Sequence, residues 1–274
     1  MDRALVTGAG FAALALGLAG CGVSGADVAP TPTTILVPYV GQGSGVVVER
    51  SGRVVLFDAG PESSSVLSDL LRSRGWTTPC LLVVSHWDGD HVGGLDSLVA
   101  RGQVAEVLHG GGPVDAWMAA RKAGWCRRIP SGCRELRRDQ VVDLADGSRL
   151  EVAGSDPDAP TDNARSLVVR LLDERGTGVV LAPGDLDTTG EAALLAAGTE
   201  LSAHVLLVGH HGSRGSSSLP FLGAVRPHIA FVQAGQGNTY GHPHAQAVER
   251  LTRVIPDVRR TRSGWTEIVN ATEP

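Results

Sequence analysis

The sequence predicts an α/β fold in which two sheets stack and helices cover their outer faces. Three observations carry that expectation. Short apolar, β-branched runs recur along residues 34–270 and alternate with segments of helical spacing. The second half repeats the strand-and-helix grammar of the first, as two similar sheets require. No stretch inside residues 34–270 is long or polar enough to act as a linker, so they form one domain. With 274 residues, 42% of them hydrophobic and 19% charged, the chain can bury a sizeable core.

Taken in order, the chain opens on a targeting segment. Met1-Asp2-Arg3 is a short charged start, residues 4–20 are uncharged and rich in Ala, Leu and Gly, and Leu18-Ala19-Gly20-Cys21 resembles a bacterial lipobox. The expectation is a lipoprotein-type signal over residues 1–20, lipidation at Cys21 and a flexible tether over residues 21–33, with Pro30 and Pro32. That address is a lipid-anchored protein on the outer face of the cytoplasmic membrane, or a secreted one. A single domain follows as residues 34–274.

Residues 34–40, 45–49 and 53–57 read as strands from their β-branched and alternating pattern, and the last ends in Asp58-Ala59-Gly60. Residues 62–74 have helical spacing, with Val66, Leu67, Leu70 and Leu71 on one side. A strand at 80–85, a short helix at 95–101, a strand at 104–108 and a helix at 114–123 follow. The second half gives strands at 141–144, 148–153, 166–172 and 178–182, then a helix at 189–197. A strand at 205–208, a short helix at 217–224, a strand at 228–232 and a helix at 244–253 precede final strands near 258–261 and 265–269.

The chemistry concentrates in Ser85-His86-Trp87-Asp88-Gly89-Asp90-His91-Val92-Gly93-Gly94, directly after the apolar run Leu81-Leu82-Val83-Val84. Four potential metal ligands fall within six residues, and imidazole with carboxylate suits zinc, iron or manganese. Further candidates stand at strand ends, where α/β scaffolds gather their sites. Asp185 follows one strand, His210 and His211 another, Asn163 precedes a third, and Tyr240-Gly241-His242-Pro243-His244 opens a helix. Six of the nine histidines lie in these motifs, while His109, His204 and His228 read as structural. Asp58 reads first as a turn carboxylate and second as support for a ligand. Ser213, Ser216, Ser217 and Ser218 could hold phosphate at a helix start or simply cap it.

The set Val40-Gly41-Gln42-Gly43, Leu56-Phe57-Asp58-Ala59-Gly60, His86 to Gly94, Asn163 to Ser166, Gly184-Asp185, His210 to Ser213 and Tyr240 to His244 resembles the hydrolase domain of ComEC-like competence proteins. That domain lies within the metallo-β-lactamase superfamily. The resemblance covers about residues 34–270 and implies a four-layer αββα sandwich with a dinuclear metal site. It implies His86 and Asp88 as ligands of one divalent ion, Asp90 and His91 of a second, Asp185 as the bridge and His210, before His211, as the last ligand. Zinc is the expected metal, with manganese or iron as alternatives. Asp90 is expected to orient the nucleophile as well. Asn163 and His244 are expected to assist catalysis, and His211, Ser213 and His242 to meet substrate. Tyr39 and Ser44 replace acidic residues usual in that pattern, which bears on substrate preference. The leader stands where DNA-uptake proteins carry channel domains, so DNA transport is not implied.

Three functions follow as expectations. The first is a phosphodiesterase or nuclease using water activated by two metals. The second is a hydrolase of a small ester, lactone or phosphorylated envelope compound. The third is a non-catalytic metal-binding lipoprotein. The segment between Arg121 and Arg138 holds seven basic residues and one acidic, and could bind DNA as a basic flap or be a solvated insertion. The net charge of −5 favours small substrates instead. Cys126 and Cys133 flank that segment's turn and would close a disulfide in an oxidising compartment, whereas Cys80 reads as a buried thiol.

Overall fold

The computed structural model describes residues 31–271, so the leader, Cys21 and most of the tether lie outside the described residues. The first sheet starts with β1 (Thr33–Pro38), β2 (Val46–Arg50) and β3 (Arg53–Phe57), all antiparallel. Ser51 and Gly52 turn β2 into β3 with φ of 50° and 76°. Two consecutive positive φ values are what a two-residue hairpin needs to match the twist of its strands. Then come α1 (Val66–Ser73), β4 (Cys80–Val84), the single turn α2 (Gly89–Val92), α3 (Leu95–Ala100), β5 (Val104–His109), α4 (Ala116–Arg128) and β6 (Cys133–Glu135). From β3 to β6 the pairing is parallel, each connection returning through helix.

The second sheet repeats the plan. An antiparallel set of β7 (Val141–Asp143), β8 (Arg149–Gly154), β9 (Val168–Leu172) and β10 (Gly178–Ala182) passes into parallel strands. These are β11 (Val205–Leu207), β12 (Ile229–Val232) and β13 (Asp257–Arg260), linked through α5 (Thr188–Ala196), α6 (Leu219–Val225) and α7 (Ala245–Val254). The last strand, β14 (Thr266–Ala271), crosses back to pair with β1. The sheet orders are β14-β1-β2-β3-β4-β5-β6 and β13-β12-β11-β10-β9-β8-β7.

The core has the layers that two covered sheets demand. Val46, Val48, Phe57, Val83, Leu108, Val169, Leu171, Val180 and Phe231 fill the space between the sheets. Leu67, Leu71, Leu82, Leu95, Leu98 and Trp125 seal the first sheet under its helices, and Leu181, Leu194, Phe221, Leu222 and Leu251 seal the second. Both faces of a central parallel strand are thus apolar, which is why β4 reads Cys-Leu-Leu-Val-Val without alternation.

Two features depart from the sequence expectation. The helix expected to end at Ala123 runs to Arg128, because Trp125 turns inward, stacks on Trp87 at 6.4 Å and donates to Asp96 Oδ1 at 2.7 Å. After it, the short strand β6 starts at Cys133, whose disulfide partner Cys126 sits in the last turn of α4; periodicity over three residues does not reveal that strand.

Candidate metal centre

The parallel strands deliver polar residues to one edge of the sandwich. Asp58 follows β3, Ser85 and His86 follow β4, Asp185 follows β10, His210 and His211 follow β11, and Gln233 follows β12. The loop after β4 folds back as α2 and lies against residues 59–62. Ala59 N donates to His91 O at 2.6 Å and Gly94 N to Gly60 O at 3.2 Å. A Cβ on Gly93 would stand 2.1 Å from Glu62 N, and one on Gly94 2.0 Å from Ala59 O. The glycine pair is therefore a requirement of close backbone approach, and that approach fixes the position of His91.

Each buried imidazole is held from behind. His91 is fully buried, and its Nδ1 bonds Asp58 Oδ2 at 2.8 Å. Asp58 also accepts from Ser85 N at 2.8 Å and from Ser85 Oγ at 3.0 Å. The expectation of a plain turn carboxylate gives way to the second reading, because the left-handed backbone at Asp58 (φ 57°) turns its side chain under His91. His86 Nδ1 sits 3.0 Å from Ser85 Oγ, and His211 Nδ1 lies 3.0 Å from Gln233 O. With Nδ1 donating to that carbonyl, His211 presents Nε2 as a free lone pair.

The opposite nitrogens converge. His91 Nε2 lies 3.3 Å from Asp185 Oδ1, and His211 Nε2 lies 3.3 Å from Asp90 Oδ2 and 3.7 Å from Asp185 Oδ2. His86 Nε2 approaches Asp88 Oδ2 at 3.5 Å. Nε2 of His86, His91 and His211 is buried with no hydrogen-bond partner. Leaving such atoms bare costs about 1–3 kcal/mol each, so three together call for a cation. Two sets of donor atoms cluster, one from His86, His91 and Asp185 and one from Asp90, His91 and His211, the atoms within each set lying within 4.8 Å of one another. Imidazole with carboxylate in this number fits divalent transition ions.

The charge balance agrees. Burial works against ionisation of Asp185, yet the neighbouring imidazoles, His91 foremost, hold its carboxyl well below the usual range. Burial likewise opposes ionisation of Asp90, and the neighbouring imidazoles of His211 and His91 outweigh it, bringing Asp90 to about 2. The His91 imidazole is disfavoured as a cation by burial but lifted well above its ordinary value by Asp185 and Asp58. Buried carboxylates here draw positive charge into the cluster.

The adjacent histidines are placed differently from the expectation. His211 is buried and aims into the cluster, whereas His210 is half-buried with Nε2 3.9 Å from Asp185 Oδ2. Both have left-handed backbones, φ 50° and 52°, so the chain coils tightly and swings the second ring inward. The Asn163 amide nitrogen lies 3.3 Å from the His210 ring nitrogens. His242 follows, with its ring centre 5.4 Å from that of His210 and 6.1 Å from that of His211. Burial and these neighbouring imidazoles push His242 down to about 4. His244 stands behind it at 4.9 Å and accepts from Arg214 N at 3.1 Å.

The serine run serves the scaffold. Ser213 Oγ accepts from Gly215 N at 3.3 Å, Ser216 Oγ donates to Leu186 O at 2.9 Å, and Ser218 Oγ caps α6. Ser213, expected to meet substrate, accepts this one hydrogen bond within its own turn. The basic segment is also largely spoken for. Arg121 pairs with Glu62 and Asp96, Arg134 with Glu106, and Arg137 with Glu135. Beside His86 and Asp88 lies a cleft walled by Trp117, Met118 and Arg165. Sequence reasoning missed Gln233. A lone polar residue ending an apolar strand, as at Asp185, was its available signal.

Comparison with known proteins agrees with this architecture. The chain matches the Metallo-beta-lactamase superfamily across residues 38–235. It is 28% identical over 246 residues to ComE operon protein 3 of Bacillus subtilis (strain 168), covering 83% of this chain and 31% of that protein. It is 34% identical over 220 residues to Competence protein ComA of Neisseria gonorrhoeae, covering 78% of this chain and 28% of that protein. The chain thus spans less than a third of the length of these relatives. In fold it resembles Igni18, a metallo hydrolase from the archaeon Ignicoccus hospitalis, with a TM-score of 0.59 at 18% identity over 87% of this chain and 100% of that one. The two-sheet sandwich, the clustered donor set and the match over most of the chain agree: this protein belongs to the metallo-beta-lactamase superfamily and is similar there to the ComEC-like competence proteins.

Proposed function

We propose that this protein hydrolyses phosphodiester bonds outside the cytoplasm, anchored by lipid on Cys21. The observation that carries the hydrolytic reading is the trio of unpartnered Nε2 atoms facing Asp90 and Asp185. In this reading His86, Asp88, Asp90, His91, Asp185 and His211 would hold two divalent ions. Zinc suits these donors best, with manganese or iron next. Bound there, the ions supply Lewis acidity, which lowers the pKa of water and favours charge on a leaving oxygen. The chain's own residues do the rest. Asp58 and the Gln233 carbonyl fix the tautomers of His91 and His211, so both present lone pairs. Asn163, His210, His242 and His244 line the side from which substrate enters, where neutral His242 can take a proton.

The phosphodiester assignment draws support from the competence-protein relatives and from the clefts beside the cluster, one walled by exposed Trp117 and by Arg165, which is paired with Asp162. A small-ester substrate is the second reading, favoured by the ion pairs that neutralise Arg121, Arg134 and Arg137. Assay of the mature protein against bis-p-nitrophenyl phosphate, DNA and a lactone panel separates them. Turnover of the first two supports the proposal, and turnover of lactones alone overturns it. Cys21→Ser tests the anchor: the variant should leave the membrane fraction, and unchanged fractionation contradicts it.

A further inference from the structure

A cleft of about 700 Å³ opens at the edge of the sandwich where β13 and β14 lie. It starts beside the metal centre, because His242 and Pro243 form part of its wall. The sheet ladder fixes its distance from the cluster. Arg260 pairs with Val232, Thr261 N donates to Val232 O at 3.1 Å, and the next residue, Gln233, holds His211.

The wall is strongly basic. Arg259, Arg260 and Arg262 line it against one carboxylate, Glu267. Arg259 is engaged by Asp257 at 2.7 Å and by Glu267 at 3.9 Å. Arg260 and Arg262 are exposed and have no acidic partner among the described residues. Two unpaired guanidiniums in a chain of net charge −5 are a local inversion of sign. Tyr240, 65% exposed, stacks on the wall residue His242 with ring centres 5.7 Å apart, so an exposed aromatic ring adjoins the cleft through His242. Free guanidiniums beside an exposed aromatic ring form the pattern that holds phosphates while a base stacks.

We propose that this cleft is the subsite for the strand flanking the scissile bond of a polynucleotide, with Arg260 and Arg262 contacting its phosphates. The proposal rests on the phosphodiesterase reading and relocates the polyanion contact from the segment 121–138 to β13 and the turn after it. The test uses the full mature chain and a fluorescein-labelled single-stranded oligonucleotide, read by anisotropy across a salt series in chelator, where no turnover occurs. Arg260→Gln with Arg262→Gln should weaken binding about tenfold, and the slope of log K against log salt should fall by about 1.4, the value for two lost phosphate contacts on a single strand. Arg127→Gln with Arg128→Gln should leave both readings as in wild type. In the presence of metal, the double variant should lower kcat/KM for the oligonucleotide relative to that for bis-p-nitrophenyl phosphate by a similar factor. Wild-type affinity and slope in the Arg260/Arg262 variant overturn the subsite, as does a wild-type protein that does not bind the oligonucleotide. If the variant loses binding but the wild type cleaves no phosphodiester, the subsite stands and the hydrolase reading fails.

Discussion

His210 and His211 are neighbours in sequence but not in environment. His211 is buried, with one nitrogen on the Gln233 carbonyl and the other bare before Asp90 and Asp185, while His210 stays half-buried beside Asn163. His211→Ala should therefore remove about one metal ion per chain and at least about a hundredfold of activity, because a ligand and its orientation are lost together. His210→Ala should keep both ions and lose turnover only. Metal analysis beside steady-state kinetics reads the difference, and loss of metal from the His210 variant instead would reverse the assignment. Asp58 makes a subtler prediction. Asp58→Asn keeps the size but removes the charge beneath His91, so metal affinity should fall about 10–100-fold with the fold intact. Competition with a chromogenic chelator measures it, and wild-type affinity would reduce Asp58 to a turn former. Neither distinction was legible from the sequence. Which of two adjacent histidines faces inward depends on a left-handed backbone that no residue pattern encodes, and Asp58 lies far along the chain from the ring it holds.

At the scale of elements, the loop carrying His210 and His211 is held from both sides. Arg250 on α7 donates to the carbonyls of Arg214, Ser216 and Ser217, at 3.0, 2.7 and 3.1 Å. Glu191 on α5 accepts from Ser217 N and from Ser218 N, the latter at 2.8 Å. Burial raises the Glu191 carboxyl against these hydrogen bonds and the charge of Arg250. Removing Arg250 strands three carbonyls, one of them on a serine with φ 58°. Arg250→Ala should lower stability by about 2–3 kcal/mol and weaken metal binding as the loop loosens. Arg250→Lys should recover only part of this, since an ammonium cannot span three acceptors in one plane. Denaturant unfolding with and without metal reads both effects. The strands behind these loops were legible, because apolar runs ending in Asp, His or Gln mark parallel strands opening into a site. The ionic role of residues 121–138 was not. Arg121 finds its partners at Glu62 and Asp96, across contacts that only the folded chain makes, so composition alone overstated the free charge of that segment.

The whole molecule is a duplicated plan, with each sheet passing from antiparallel strands to parallel ones and sending its polar strand ends to one shared edge. That arrangement gathers donors from residues 86, 90, 91, 185 and 211 without any of them lying in a long loop. It also explains why the architecture and the main ligand loop could be read from sequence, whereas the basic cleft at β13 could not. The cleft exists only where the edges of both sheets meet. The central claim is that this shared edge is a two-metal hydrolytic centre. Its most direct test is elemental analysis of the purified mature protein, alongside bis-p-nitrophenyl phosphate turnover before and after chelation. The account predicts about two divalent ions per chain, with activity lost on stripping and restored by zinc, manganese or iron. A protein that takes up no such ion after reconstitution, or that hydrolyses the phosphodiester equally well when stripped, would contradict it.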